Sequence, residues 1–330
     1  MSNKLPKVVT IGGGTGSYVV LTGLKNFKLD ISAIVTMMDS GGSTGKLRDQ
    51  LGVLPPGDLR QALVALSESP EIWRRLFSYR FNDGDLKGHN FGNIFLSALE
   101  MITGSNQEAV DRASEILQIQ GRVVPVTFTK CDLCARYSDK SIICGESNIE
   151  EFYNPNLKIE EVYSSPNALI NLEAKRAIES ADFIVFCPGD IYTSIFPTLI
   201  VQGMFEILRY SKAKKIYISN LMTRRGQTDG FKVSHFAQEL EKYIGEGSLD
   251  YILLNDKKPS KGVLKKYMDI DQAVWVEDDL GGSYNKASIV RANLVSDFVY
   301  KKGSSDVLHR SLIRHDSLKI SQELFKIFSL

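Results

Sequence analysis

Cysteine and histidine are scarce in this chain of 330 residues, and neither sign of charge is in excess. Four Cys in a chain of this length make no disulfide framework. None is needed, because a chain this long buries most of the surface that its unfolded form exposes. No apolar run reaches the roughly 18 residues of a membrane helix. The first residues, Met1 to Pro6 and the short apolar run behind them, lack a signal-peptide core. The expectation is a cytosolic protein without membrane insertion. Forty Lys and Arg stand against 39 Asp and Glu, a net charge of +1. That is too little to bind nucleic acid by its overall field, so nucleic acid is not expected as a partner. The nucleophile elbow Gly-x-Ser-x-Gly, the zinc helix His-Glu-x-x-His and a Cys–His signature are all missing. Hydrophobic residues make up 43% and charged residues 24% of the chain, which is ordinary globular usage.

What is present begins as a βαβ unit. Residues 7–11 are β-branched and short, and Gly12-Gly13-Gly14-Thr15-Gly16 follows at once. Residues 17–24 read as a helix with Gly23 as a weak spot, and residues 31–38 as the next buried strand. Such crossovers imply a parallel sheet. Further strands are expected at 123–128, 182–187, 215–220 and 251–255. Helices are expected at 59–67, 71–79, 93–102, 107–118, 168–180, 195–210 and 235–243. A terminal helix is expected in 311–330, with Ile320, Leu324 and Ile327 on one face. Residues 39–58 read as a loop rich in Gly and Pro. Residues 131–146 read as strands turning at Ser138-Asp139-Lys140. No repeat or linker divides the chain. The expectation is one α/β domain over residues 1–330, with a β-rich excursion at one sheet edge over about 121–165.

The strand ends carry the chemistry. Gly12 to Gly16 let the backbone turn tightly and let a phosphate approach the N–H groups of a helix start. Gly12 and Gly14 fit the first places of the dinucleotide fingerprint, but Ser17 holds the third, which disfavours an NAD-dependent oxidoreductase. Asp39 follows the second strand, where a carboxylate can meet ribose hydroxyls or a metal. Gly41 to Lys46 is not a Walker loop, because Ser40 and Leu47 occupy the places of its first Gly and its Ser or Thr. Ser43, Thr44, Lys46 and Arg48 still offer phosphate-binding groups. Asp58 reads as a helix cap. Arg60, in the first turn of that helix, opposes the dipole, which a bound anion would compensate. His89, Asn90 and Asn93 gather at another helix start. Gly189, Asp190, Tyr192, Thr193 and Ser194 follow a buried strand, and Asn220 opens a polar loop to Gly230 after another. Ligands of open α/β sheets bind outside the carboxyl ends of the strands, so these loops point to one crevice. Cys131-x-x-Cys134 lacks a matching second pair for zinc, and all four Cys read as buried small side chains.

Taken together, the segments 12–17, 39–52, 55–67, 88–99, Gly145-Glu146-Ser147-Asn148-Ile149, 188–197, 220–231 and Arg314-His315-Asp316 resemble the YvcK/CofD-like family. The YvcK-type gluconeogenesis factors are the most similar branch. The resemblance implies a Rossmann-like three-layer α/β sandwich with a mostly parallel sheet. It implies a nucleotide-diphosphate ligand, notably the UDP-sugar UDP-N-acetylglucosamine, and a regulatory role in cell shape and growth on gluconeogenic carbon. By matching position, Gly12 to Gly16 and Asn90 would line the nucleotide, Arg314 would meet the diphosphate or sugar, and Tyr267 would lie near the sugar nucleotide. The sister branch is a transferase. It moves a phospholactyl-type group from a guanylyl diphosphate donor to a deazaflavin hydroxyl, uses Mg²⁺ and releases GMP. If Mg²⁺ is a cofactor here, Asp39 and Asp190 are its candidate ligands. Ser40 stands where the family usually has Asp, Lys46 where it has Arg, and Asp190 where it has Ser. A binding protein of regulatory type is the leading expectation, with the transferase as the alternative. Homo-oligomerisation is compatible with either.

Overall fold

The computed structural model describes residues 4–296 and 313–330. The chain opens with β1 (Lys7–Ile11), α1 (Gly14–Leu24) and β2 (Asp30–Val35). Helices α2 (Gly42–Leu51), α3 (Gly57–Leu66), α4 (Glu71–Ser78), α5 (Phe91–Thr103) and α6 (Asn106–Leu117) precede β3 (Arg122–Pro125). An excursion follows, made of β4 (Asp132–Tyr137), β5 (Ile142–Cys144), α7 (Glu146–Glu151) and β6 (Ile159–Ser165). The chain returns through α8 (Leu172–Glu179) to β7 (Phe183–Phe186), a π-helical turn Ile191–Ile195, α9 (Phe196–Leu199) and α10 (Met204–Tyr210). It continues with β8 (Lys214–Ile218), α11 (Val233–Ile244), β9 (Tyr251–Asn255) and α12 (Lys261–Asp271). It ends with β10 (Ser283–Tyr284), β11 (Ala287–Ala292) and α13 (Ser317–Phe328).

Among the described residues, eight strands form one sheet in the order β10-β11-β9-β8-β7-β1-β2-β3. All neighbours are parallel except the β10–β11 pair. From β1 the chain winds outward through β2 to β3, then comes back to β7 and winds the other way. The order therefore reverses between β1 and β7, and open α/β sheets bind their ligands at the carboxyl ends of the strands beside such a reversal. Both faces of the sheet are covered. Val9, Ile11, Ile34, Phe186 and Tyr217 pack toward one core, with Phe196, Phe236 and Leu240. Val8, Ile31, Ala33, Val185 and Ile216 pack toward the other, with Leu21, Leu63, Phe77 and Leu324. Strands buried on both faces read as continuous apolar runs, which is why these were legible in sequence. The expected α/β class with a mostly parallel sheet is what the chain adopts.

Several local expectations are corrected. Residues 42–51, expected as loop, form α2. The helix expected over 195–210 is broken by Gly203, whose φ of +98° suits a residue without a Cβ. β3 belongs to the main sheet, so the excursion's own antiparallel sheet, ordered β5-β4-β6, begins only at Asp132. Strand β6, helices α7 and α12 and the β10–β11 pair were not anticipated. Cys134 and Cys144 are not isolated buried thiols. They face each other across β4 and β5 and are joined by a disulfide. Cys131 and Cys187 are free and buried as expected. Gly23 is no weak spot, because a Cβ there would collide with the Ser317 carbonyl and come within 2.8 Å of Ser321. It is the contact point at which α13 lies on α1. Ser311 and Leu312, the expected start of the last helix, lie outside the described residues.

Candidate functional site

The glycine loop after β1 nests against the loop after β7. Gly12 and Gly14 have φ of +148° and +60°, where a side chain is strained. A Cβ at Gly12 would come within 3.1 Å of both Cys187 and Ser17, and one at Gly16 would strike the Pro188 carbonyl. The glycines thus bring two strand ends together at the reversal of strand order.

Several helix starts meet beside them. Asp58, in the first turn of α3, accepts the Gly14 N–H at 2.7 Å and so caps α1 rather than its own helix. Asp39 accepts the Gly41 N–H at 2.8 Å at the start of α2, and its other oxygen lies against Gly57. Asn90 caps α5 by accepting the Asn93 N–H at 3.2 Å. The Asn90 N–H donates to the Ser43 hydroxyl at 3.1 Å, and the Asn93 amide donates to Thr44 Oγ1 at 3.2 Å. Arg60 Nε donates to Asn93 Oδ1 at 2.8 Å. The cation at the start of α3 is therefore compensated by Asn93 and by the neighbouring carboxylates of Asp39 and Asp58.

The excursion closes one side. The Ser40 N–H donates to Glu146 Oε2 at 3.3 Å, and the Ser147 N–H donates to Ser40 Oγ at 3.0 Å. Glu150 accepts from Thr193 Oγ1 at 3.1 Å. The Arg224 guanidinium lies 3.7 Å from Glu150 and 3.7 Å from Asp190. Asn220 ties the loop after β8 to the loop after β7, donating to the Gly189 carbonyl at 2.7 Å and accepting from Tyr217 Oη at 3.2 Å. Burial raises every carboxyl of this group. Asp58 is pushed up to about 7 by burial first and by the charge of Asp39 second. Glu146 is pushed up to about 9 by burial, then by Asp39, Glu150 and Asp58. Asp39, Glu150 and Asp190 are raised as well, with burial the first cause of each.

The geometry sorts the sequence-predicted residues. Gly12, Gly13, Gly14, Thr15, Gly16, Asp39, Ser43, Asn90, Asn93, Gly189, Asp190, Thr193, Ser194 and Asn220 lie in the loops and helix starts at this edge. Lys46 is exposed on α2. Tyr192 turns inward, with its ring 5.4 Å from Phe196 in a T-shaped contact. Tyr267 is also buried, and its hydroxyl accepts the Ile313 N–H at 2.9 Å. Its role here is to hold the segment that carries Arg314. That segment pairs with residues 294–296, and His315 bonds the Ser219 backbone, so Arg314 is carried to the end of β8. Glu146, Glu150 and Arg224 were not singled out from the sequence, and Asp58 was read only as a cap. Their signal was present in the matching segments around residues 145–149 and 220–231.

The donor set does not fit a cation held by the protein alone. Among the described residues no three His, Cys, Asp or Glu groups converge to hold a metal ion. Asp39 and Asp58 each give one oxygen to a backbone N–H, and Asp190 faces Arg224.

Comparison with known proteins agrees with this architecture. The family of 2-phospho-L-lactate transferase CofD matches residues 8–295. A Thermotoga maritima protein provisionally named a gluconeogenesis factor is 41% identical, over 97% of this chain and 99% of its own. The gluconeogenesis factor of Bacillus subtilis is 37% identical, over 97% of both chains. A crystal structure of a UPF0052 family member from Bacillus halodurans superposes with a TM-score of 0.87 at 35% identity, covering 98% of this chain and 100% of that one. With the fold, the length and the ordered loops in agreement, the chain belongs to the CofD/UPF0052 family, among relatives named gluconeogenesis factors.

Proposed function

We propose that this protein binds a sugar nucleotide through its diphosphate, with UDP-N-acetylglucosamine as the type ligand. In this reading it acts in the cytosol as a regulatory protein, affecting cell shape and growth on gluconeogenic carbon. One observation carries the reading: the starts of α1, α2 and α5 meet at the reversal of strand order. Helix N-termini, with N–H groups at a positive dipole end, are anion sites, and here the side chains of Asp58, Asp39 and Asn90 hold part of them. The proposed contacts are the Gly12 to Gly16 backbone, Asp39, Ser43, Lys46, Asn90, Asn93, Gly189, Thr193, Ser194, Asn220 and Arg314. Relatives that carry the gluconeogenesis-factor name support the physiological side of the reading.

The family description favours a second reading, a transferase that cleaves a nucleotide diphosphate. Titration calorimetry with UDP-N-acetylglucosamine and with GDP, each with and without Mg²⁺, separates the two when followed by product analysis. A regulator binds the UDP-sugar with similar affinity in both conditions and leaves it intact. A transferase requires the metal and releases a nucleoside monophosphate. Absence of binding by either compound at millimolar concentration would remove the ligand assignment.

A further inference from the structure

The Cys134–Cys144 disulfide plays no part in the site as described, yet it stands next to it in the chain. Cys134 is buried in the central strand of the small sheet, whereas Cys144 is exposed at the end of β5. β5 is an edge strand of three residues. Gly145 follows, donating its N–H to the Leu133 carbonyl at 2.8 Å, and α7 begins at once with Glu146. Glu146 and Ser147 are the residues that hold the Ser40 backbone and hydroxyl. A single residue, Gly145, therefore separates Cys144 from the residues that hold the loop starting α2. An edge of three residues is marginal without a covalent link, and local opening begins at such edges.

We infer that the Cys134–Cys144 pair is a thiol–disulfide exchange site that sets the order of α7 and of the Ser40–Gly41 loop, and through them the affinity of the ligand site. The inference rests on the binding reading above. Disulfides of cytosolic proteins are characteristically transient and redox-sensing rather than structural, which matches one cysteine at an exposed edge and one in a buried strand. The reductant is a dithiol, either a small molecule or a protein. Its thiolate attacks the sulfur of Cys144, the exposed residue of the pair, the bond to Cys134 breaks, and Cys134 leaves with the electron pair and takes up a proton. The second thiol of the reductant then attacks the mixed disulfide and releases Cys144 as a thiol. Two electrons and two protons pass to the protein, and the reductant ends as its own disulfide.

The test compares the full-length protein oxidised with glutathione disulfide and reduced with dithiothreitol, with a mass gain of two hydrogens confirming reduction. Reduction should speed amide exchange in residues 39–45 and 144–151 by about tenfold, and raise the Kd for UDP-N-acetylglucosamine by about tenfold. Cys144→Ser should behave as the reduced form under both conditions, while Cys131→Ser should still respond. Equal exchange in the two wild-type forms overturns the inference, as does a Cys144→Ser protein that still responds to dithiothreitol. Altered exchange with an unaltered Kd also overturns it, because the loop would then not govern binding. Altered exchange with no binding in either form supports the link from disulfide to loop and overturns the UDP-sugar reading instead.

Discussion

Glu146→Gln tests whether protons hold the carboxyl cluster together. The Glu146 carboxyl is pushed from 4.5 up to about 9, by burial first and by the charges of Asp39, Glu150 and Asp58 after it. A folded value above the unfolded one fixes the sign. The contribution to stability is fully present below about pH 4.5 and is lost as pH rises through about 9. Between about pH 7 and 9 the unfolded chain carries the ionised group and the folded chain still carries most of the proton. The slope there is about 1.4 kcal/mol per pH unit, so the loss across the interval is about 2–3 kcal/mol at most. Gln keeps an oxygen to accept the Ser40 N–H and removes the titration. Urea unfolding of both proteins at about pH 7 and about pH 9 provides the assay, since the difference between them cancels the titrating groups outside the carboxyl cluster. The variant should gain about 2–3 kcal/mol on the wild type as pH rises. A difference that stays constant across the interval would refute the reasoning.

Three further substitutions probe the frame around the cluster. Gly16→Ala drives a methyl group into the Pro188 carbonyl, so a thermal melt should show a loss of about 1–3 kcal/mol, and an unshifted Tm would contradict the close approach of the two loops. Asn220→Ala removes the bonds to Gly189 and Tyr217 and should cost about 1–3 kcal/mol in chemical denaturation, with a weaker ligand affinity because the Gly189 loop is released. Arg314→Ala should raise the Kd for UDP-N-acetylglucosamine by about ten- to a hundredfold, the value of a charge-assisted hydrogen bond. An unchanged Kd removes Arg314 from the site.

The parts of the fold legible in the sequence are those whose burial is simple. β1, β2, β7, β8 and β9 lie between two helical layers, so their apolar runs announce them. β6 carries Glu160 and Glu161 and alternates between core and solvent at a half-exposed edge, which dilutes the strand pattern. α2 begins Gly-Ser-Thr-Gly, a poor helix sequence by propensity. Its start is fixed by partners far along the chain, Ser43 to Asn90 and Thr44 to Asn93, and Gly45 is needed because the Ser40 carbonyl lies against it. Tertiary contacts overrode local preference there. The hydroxyl-bearing residues after β7 were equally opaque. Nothing in Tyr192-Thr193-Ser194 tells which side chain turns into the core, and the π-helical turn sends the tyrosine ring to Phe196 and the Thr193 hydroxyl to Glu150.

The same separation between local and distant signals governs the site's charge. Glycine turns at strand ends are local, so the cradle was visible, while the carboxylates that face it come from elsewhere. Glu146 reaches Ser40 from 106 residues away and Asp58 reaches Gly14 from 44. These acids occupy N–H groups that an anionic ligand would otherwise find free, because a helix start favours a negative partner whether side chain or phosphate supplies it. Under the proposed function, a diphosphate would therefore either displace Asp58 from Gly14 or bind beside it. Burial together with the charge of Asp39 raises Asp58 to about 7, so near neutral pH a proton on it weakens both its hold on the Gly14 N–H and its repulsion of a second anion. The raised carboxyls and the helix starts they cap thus belong to one arrangement, in which the protein's own acids occupy N–H groups that the proposed anion would have to share or take.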